Sequence, residues 1–331
     1  MLLASIIAAI IPAAIYTAGI YWIDRYEKEP LWLLTTTFLW GAIPSIIIAL
    51  IFNTLLGIPI YVIFGDVTGD ALVATFVAPF IEELIKAAVL FLILFFWRHQ
   101  IDSLLDGIIY GAMVGMGFAM VENVFYFQAV YAEGGVDAWQ VNIFMRAVIF
   151  GLNHSLYSAM SGLGIAIARL RKTGAMRYIA PIAGVSMAMF LHFVHNGLAS
   201  FGGNALGELV CIPLLVNAWG GVIITVIIII WSLWQERQWI AKYLPEEVVA
   251  GTITADQLTV VSSGLGRISS NMKALFSGGI GTYRRNHRFL DRCTKLAYIK
   301  HHQDWYHDKA SLERMETLRE EIIKLNKQLN G

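Results

Sequence analysis

The 331-residue chain contains little charge and only two cysteines. Charged residues make up 15% of it and hydrophobic residues 57%, a composition that argues against a water-soluble protein. Lysine plus arginine equal aspartate plus glutamate, at 24 each, so no basic excess indicates a nucleic-acid partner. Cys211 lies in an apolar region and Cys293 in a polar one, which argues against a disulfide framework and against a cysteine metal site.

The charge is concentrated towards the C-terminal end. Residues 241–331 hold 14 of the 24 basic and 10 of the 24 acidic residues. This division predicts a transmembrane domain over 1–240 and a helical cytoplasmic tail over 241–331. Within the tail, the glycine- and serine-rich stretch 264–281 is typical of a linker. The apolar N-terminus lacks a positive leader region, so we expect a retained first span rather than a signal peptide.

Long apolar runs fill the first 240 residues. A helix rises 1.5 Å per residue, so about 20 apolar residues cross the bilayer core. Seven segments qualify, which predicts an all-α polytopic bundle of about seven transmembrane helices in contact with membrane lipid. A homo-oligomer is left open. The seven segments are roughly 2–23, 31–55, 71–97, 105–131, 143–168, 179–201 and 210–234.

The loops between these segments alternate in charge. Positively charged loops stay in the cytoplasm, so the alternation predicts an outer N-terminus and a cytoplasmic C-terminus. Basic residues occupy the loops 24–30, 98–104 and 169–178, whereas only acidic ones occur in 56–70, 132–142 and 202–209.

A few ionisable residues lie deep in the predicted spans, where they are costly and usually functional. They are Glu82, Glu83, Lys86, Glu122, His154, His192 and His195. Glu82, Glu122, His154 and His192 lie nine to eleven residues from the outer ends of four consecutive spans. At 1.5 Å per residue this is about 14–16 Å deep, and His195 is shallower at about 9 Å. A common depth predicts one polar site inside the bundle.

Spacing within two spans supports such a site. Glu82 and Lys86 are four residues apart and share a helix face, so the lysine can stabilise an ionised carboxylate. His192 and Asn196 have the same spacing and can direct an imidazole and an amide at one carbonyl oxygen.

Purely structural interpretations stay open for these residues. Glu82 and Lys86 could form only a buried ion pair, and His154 could be a core histidine with satisfied hydrogen bonds. His195 could simply bond a neighbouring span. Gly107, Gly111 and Gly115 recur every four residues, which predicts close packing of another helix rather than chemistry.

At these positions the sequence resembles the PrsW family of intramembrane proteases. The motifs run in order over residues 24–196, more than half of the chain. They are Asp24-Arg25-Tyr26-Glu27-Lys28-Glu29-Pro30, Glu82-Glu83-x-x-Lys86, Asp106-Gly107 through Tyr110-Gly111 to Gly117-Phe118-Ala119-x-x-Glu122-Asn123, His154 with Gly162-Leu163-Gly164, and His192-x-x-x-Asn196.

The resemblance implies an endopeptidase of a bacterial plasma membrane that cuts membrane-anchored proteins, for example an anti-sigma factor. The chain is also similar to the type II CAAX prenyl proteases. It departs from them in having Glu122 where their FxxxH motif has histidine, which argues against a prenylated substrate. The implied catalytic residues are Glu82, Glu83, Lys86, Glu122, His154, His192 and Asn196.

Two mechanisms fit these residues. In the one we favour, Glu82 or Glu83 takes a proton from the attacking water, and His192 with Asn196 stabilises the oxyanion. In the other, Glu122, His154 and His192 bind Zn²⁺ and a glutamate is the base. The expected cofactor is therefore none or Zn²⁺.

A different class of function stays open. Buried carboxylates and histidines could relay protons in an ion-coupled transporter, or belong to a membrane sensor without hydrolytic activity. The chain shows neither an inverted repeat nor a matching pair of broken spans, which makes a transporter the weaker hypothesis.

Overall fold

A computed structural model describes residues 1–24, 26, 28–171, 173–306 and 309–330, and no strand occurs among them. Arg25, Glu27 and Lys172, which contribute to the loop charges or the first motif, lie outside these ranges. The helices are α1 (Leu2–Ile23), α2 (Leu31–Trp40), α3 (Ile46–Phe64), α4 (Asp66–Leu72), α5 (Ala78–Phe96), α6 (Leu104–Ile143), α7 (Asn153–Leu170), α8 (Met176–Leu206), α9 (Cys211–Tyr243), α10 (Pro245–Val249), α11 (Ala255–Val261), α12 (Gly264–Tyr306) and α13 (Lys309–Asn330).

Five helical stretches among the described residues are long and apolar enough to cross a membrane. They are Leu2–Ile23, Leu31–Phe64, Leu104–Leu170, Met176–Gly203 and Gly207–Val249. The 67-residue stretch contains both α6 and α7, and α5 carries three charged residues in its 19. The predicted multi-pass helical bundle is confirmed, and the number seven stays a prediction.

The chain divides into two compact units, Met1–Ile23 with Glu29–Ile229 and Asp24–Lys28 with Ile230–Gly331. In the first unit α6 is central, since every residue from Leu105 to Ala119 is buried. The assignment of a protease domain to 1–240 and a cytoplasmic tail to 241–331 stays a prediction.

The glycine stripe on α6 faces α7. A Cβ atom on Gly107, Gly111 or Gly115 would collide with the backbone carbonyl of Gly162, Ser158 or His154, respectively. The backbones of α6 and α7 are therefore in direct contact, as the four-residue spacing predicts. A capping box between Ser103 and Asp106 fixes the start of α6, so the role of Asp106 here is structural.

Three π-helical turns interrupt the first unit, at Gly41–Ser45, Val73–Val77 and Phe144–Ile149. The prediction of an outer loop over 132–142 is wrong, because these residues are helical. The helix is interrupted at Gly135 and then continues to Ile143. Gly135 has a φ of 70°, a conformation that glycine adopts without strain.

The second unit has its own apolar core, formed by the end of α9 and by α11 to α13. Glu247 is buried beside this core, with Lys300 at 2.6 Å and Arg319 at 2.8 Å from its carboxylate. The predicted linker over 264–281 is wrong, since these residues form the first part of α12. A break at Gly279, with φ at 69°, separates this part from the rest of α12.

Candidate active site

The double glutamate lies one turn into α5, and both side chains are buried. Glu83 accepts hydrogen bonds from Lys86 at 2.6 Å and from Ser158 of α7 at 3.3 Å. The Nδ1 atom of His192 on α8 lies 3.0 Å from the same carboxylate. Because three partners hold it, Glu83 is fixed in one orientation and joins α5 to α7 and α8.

Glu82 is held much more loosely. Its Oε1 atom accepts a 3.4 Å hydrogen bond from Asn53, and its Oε2 atom is buried without a hydrogen-bond partner. The Lys86 ammonium is 3.7 Å from Oε2, which is an ion-pair distance. The two adjacent glutamates thus differ in environment, one fixed and one with an oxygen available.

Lys86 is fully buried at the centre of these groups. Its ammonium lies 3.1 Å from Nδ1 of His154 and 3.9 Å from the centre of the Phe118 ring. An ammonium has donors only, so Nδ1 of His154 accepts this hydrogen bond. The hydrogen of the neutral His154 imidazole is then on Nε2, which lies 2.9 Å from Glu122.

The Glu122 oxygen that contacts His154 is also bound by an arginine. Nη2 of Arg146 lies 2.6 Å from the Glu122 carboxylate, and Nε donates to the side chain of Asn123 at 2.9 Å. The guanidinium also covers the Tyr126 ring at 3.6 Å. Glu122 is therefore the middle of a chain from Arg146 to His154 and on to Lys86.

His192 and Asn196 line one cavity with Glu122, Arg146 and His154. Asn196 donates a 2.8 Å hydrogen bond to the carbonyl of Ala74, inside the π-helical turn before α5. That bond uses one of its two amide hydrogens, so a second donor remains.

His195 lines the same cavity, but its side chain contacts Asn153 and Phe150 rather than the glutamates. It lies 3.2 Å from the Asn153 amide, and its ring packs edge-on against Phe150 at 4.9 Å. These contacts agree with the open interpretation that His195 bonds a neighbouring helix.

The donor set suitable for a divalent metal differs from the predicted one. In the part of the chain that the structure describes, Glu82, His154 and His192 have ligand atoms within 4.8 Å of one another. Glu82 thus stands where the sequence suggested Glu122. The unpartnered Oε2 of Glu82 and two imidazoles are ligand types that zinc prefers, so this set fits a metal.

Arg146 is a residue of the site that was not predicted from the sequence. It lies only three residues inside the predicted span 143–168, where an arginine would ordinarily reach the headgroups. The π-helical turn Phe144–Ile149, which no sequence pattern indicates, places its side chain on Glu122 instead. A charged residue inside a predicted span was the available signal.

Comparisons with known proteins agree on one family. The model described as PrsW family intramembrane metalloprotease matches residues 29–232. A protein named Protease PrsW from Clostridioides difficile is 35% identical over 157 residues, 46% of this chain and 61% of that protein. The match thus covers less than two thirds of that relative's length.

Two further relatives carry the same name. The Protease PrsW of Oceanobacillus iheyensis is 25% identical over 64% of this chain and 89% of that protein. The Protease PrsW of Geobacillus kaustophilus is 28% identical over 58% of this chain and 77% of that protein. No solved structure gives a significant match.

Proposed function

Because the chain belongs to the PrsW family of intramembrane proteases, we propose that it is an endopeptidase that hydrolyses membrane-anchored proteins. One observation carries the proposal. Side chains from α5, α6, α7 and α8 form a continuous, mostly buried network of carboxylates, histidines and one lysine. Such a network is costly in a bilayer and supplies the acid, base and hydrogen-bond donors that peptide hydrolysis needs.

The proton acceptor in this proposal is Glu82. One of its carboxylate oxygens lies within 4.8 Å of a nitrogen of both His154 and His192, and its Oε2 atom has no hydrogen-bond partner, so a water molecule can be held between these groups. The water oxygen bonds to the carbonyl carbon while a water proton passes to Glu82. The carbon–nitrogen bond then breaks, and this proton passes to the leaving amine nitrogen.

Glu83 and Lys86 position the other groups. Glu83 holds Nδ1 of His192, which leaves Nε2 directed away from that carboxylate. Because Nδ1 of His192 donates to Glu83, Nε2 of the neutral imidazole is an acceptor and can donate to an oxyanion only after protonation. The remaining amide hydrogen of Asn196 therefore stabilises the oxyanion that develops on the substrate carbonyl. Arg146 and Glu122 fix the tautomer and ring orientation of His154.

The family description also implies a metal, and Glu82, His154 and His192 are the residues that would hold it. A bound metal would supply Lewis-acid polarisation and a water molecule with a lowered pKa. In the arrangement described above both nitrogens of His154 are engaged, by Lys86 and by Glu122. His154 would have to release one of these partners to become a ligand.

Metal content decides between the two versions. The full-length protein, purified in lipid nanodiscs, is analysed by elemental mass spectrometry before and after treatment with phenanthroline. If Glu82 acts as a metal-free base, activity persists in preparations without stoichiometric metal. Loss of cleavage on chelation and recovery with Zn²⁺ would instead assign Glu82, His154 and His192 as ligands.

The substrate class is tested in cells. Membrane-anchored protein fragments are compared by proteomics between wild-type cells and cells with Glu82→Gln, and a protease should give fragments that are present only in the wild type. Identical fragment sets would contradict the proposal. An anti-sigma factor is one candidate among these substrates.

The orientation is a further part of the proposal. The loop charges favour an outer N-terminus and a cytoplasmic position for residues 241–331. An impermeant protease added to intact cells should leave the tail intact and digest it after lysis. Digestion in intact cells would show the opposite orientation.

A further inference from the structure

The first part of α12 carries an apolar face that none of the described residues of the second unit covers. Leu265, Ile268, Met272 and Phe276 are spaced three and four residues apart, so they lie on one side of the helix. Their exposed fractions are 75%, 42%, 44% and 81%. Four large apolar side chains in one exposed row are unusual for a surface facing water.

The opposite side of the same helix is firmly attached to its own unit. Arg267 is buried and donates hydrogen bonds to Thr294 at 2.7 Å, to the carbonyl of Leu290 and to that of Tyr26. Ala274 is also buried on that side. The apolar face is therefore held outward by the fold.

The start of this face lies beside the end of α9. Leu265 lines a cavity together with Trp234 and Arg237 of α9, all within the second unit. Trp234 and Trp231 are exposed on a helix apolar enough to cross a membrane. Exposed tryptophans followed by a basic residue mark the headgroup level of a spanning helix, so the apolar face begins at that level.

Charge complements this position. Residues 264–281 contain no acidic residue, and the basic Lys273 is exposed beside the apolar row, whereas Arg267 is buried on the opposite side. A helix with one apolar face and neighbouring basic groups is suited to lie in the plane of an anionic bilayer surface.

We propose that residues 264–278 form an interfacial helix whose row of Leu265, Ile268, Met272 and Phe276 inserts into the lipid headgroup region next to the last membrane-spanning helix. The occupant of this face is the bilayer itself. The proposal is independent of the proteolytic activity.

The test uses the full-length protein in nanodiscs of phosphatidylcholine with phosphatidylglycerol. An environment-sensitive fluorophore is attached at Phe276→Cys or, as the matched control, at the adjacent exposed Ser277→Cys. Cys211 is exposed and is replaced by serine, while Cys293 can stay. Burial raises the pKa of the Cys293 thiol to about 12, which keeps it unreactive.

A label at 276 should emit at shorter wavelength and be quenched by brominated lipid, whereas a label at 277 should be quenched by aqueous iodide. Met272→Cys, which retains Phe276, should behave like 276. Equal aqueous quenching at 272, 276 and 277 would overturn the proposal. The proposal would also be overturned if the label at 276 were shielded from iodide only when two copies of the protein can be cross-linked, and if this shielding disappeared on dilution. The face would then be a dimer contact.

Discussion

At the scale of single residues, the charged groups of the candidate site are paired with one another. Lys86 contacts Glu83, Arg146 contacts Glu122, and the two carboxylates each bond a histidine. Removing one partner of a buried pair leaves the other charge uncompensated, at a cost of about 3–5 kcal/mol. The network therefore ties the geometry of the site to the stability of the bundle.

Arg146 provides a test of this coupling. Arg146→Met removes the group that holds Glu122 against His154, so we expect cleavage to fall about 10- to 100-fold, as for other residues that orient a reacting group. Arg146→Lys keeps the charge but cannot bind Glu122 and Asn123 together, so it should recover only part of the rate. The turnover number is measured with purified protein in nanodiscs.

The control for this experiment is Arg177→Met, because Arg177 is an exposed arginine outside the site. It should cleave at the wild-type rate. A wild-type rate for Arg146→Met as well would show that Arg146 has no part in positioning His154.

The sequence predicted which residues belong to the site, but it did not predict which of them contact one another. Common depth selected Glu82, Glu83, Glu122, His154 and His192, and the structure places them in one network, although their roles stay predictions. The depth of a residue in the membrane, however, does not tell which neighbouring helix its side chain faces. It could not show that Glu82, rather than Glu122, has its carboxylate grouped with the nitrogens of both histidines.

At the scale of helices, close packing of α6 on α7 sets the position of His154. Gly115 lies directly against the backbone carbonyl of His154, without room for a methyl group. The helix pair can place the imidazole beside Glu122 only because this residue has no side chain.

Gly115→Ala should therefore separate α6 from α7 and displace His154, abolishing cleavage and lowering the stability of the bundle. An overpacked core typically loses about 1–3 kcal/mol. Gly220→Ala is the matched control, since a Cβ atom at Gly220 meets open space on α9. Both variants are compared by denaturation in mixed micelles and by cleavage, and equal behaviour would refute this packing argument.

Helices were predictable where long apolar runs determine them. Irregular segments could not be predicted, because no amino-acid composition is typical of a π-helical turn, which arises from packing. The turn Val73–Val77 supplies the Ala74 carbonyl for Asn196, and the turn Phe144–Ile149 directs Arg146. Glycine content predicted a linker over 264–281, but attachment through Arg267 favours helix there.

At the scale of the whole molecule, we expect the stability of the second unit to depend on pH. His301 stacks on Trp239 at 4.3 Å, and burial, with help from nearby Lys242 and His302, lowers the pKa of its imidazole from 6.5 to about 4. The unfolded chain therefore binds a proton at higher pH than the folded unit does.

The stabilisation is complete above about pH 6.5 and is lost as the pH falls towards about 4. Thermal unfolding of the full-length protein, followed by tryptophan fluorescence, should show a falling melting temperature across this window. His301→Phe keeps the stacking but cannot titrate, so it should flatten the decline. An equal decline in the variant would assign the effect to other groups.

The fold class and the family could both be predicted from the sequence, since hydrophobic length and ordered motifs carry them. The number of membrane crossings could not be settled, because α5 combines a short length with three charges. The three charged residues that α5 contributes to the site also lower its hydropathy, so it is harder to recognise as a membrane-spanning helix.

The central claim is that Glu82 takes the proton from water in an intramembrane peptidase. The most direct measurement is single-turnover cleavage of a membrane-anchored model substrate by the purified full-length protein and by Glu82→Gln. The amide keeps the shape but cannot accept a proton, so the rate should fall by at least about 10²- to 10⁴-fold with an unchanged melting temperature. Glu133→Gln, at an exposed glutamate, should retain the wild-type rate. Cleavage by Glu82→Gln at the wild-type rate would contradict the account.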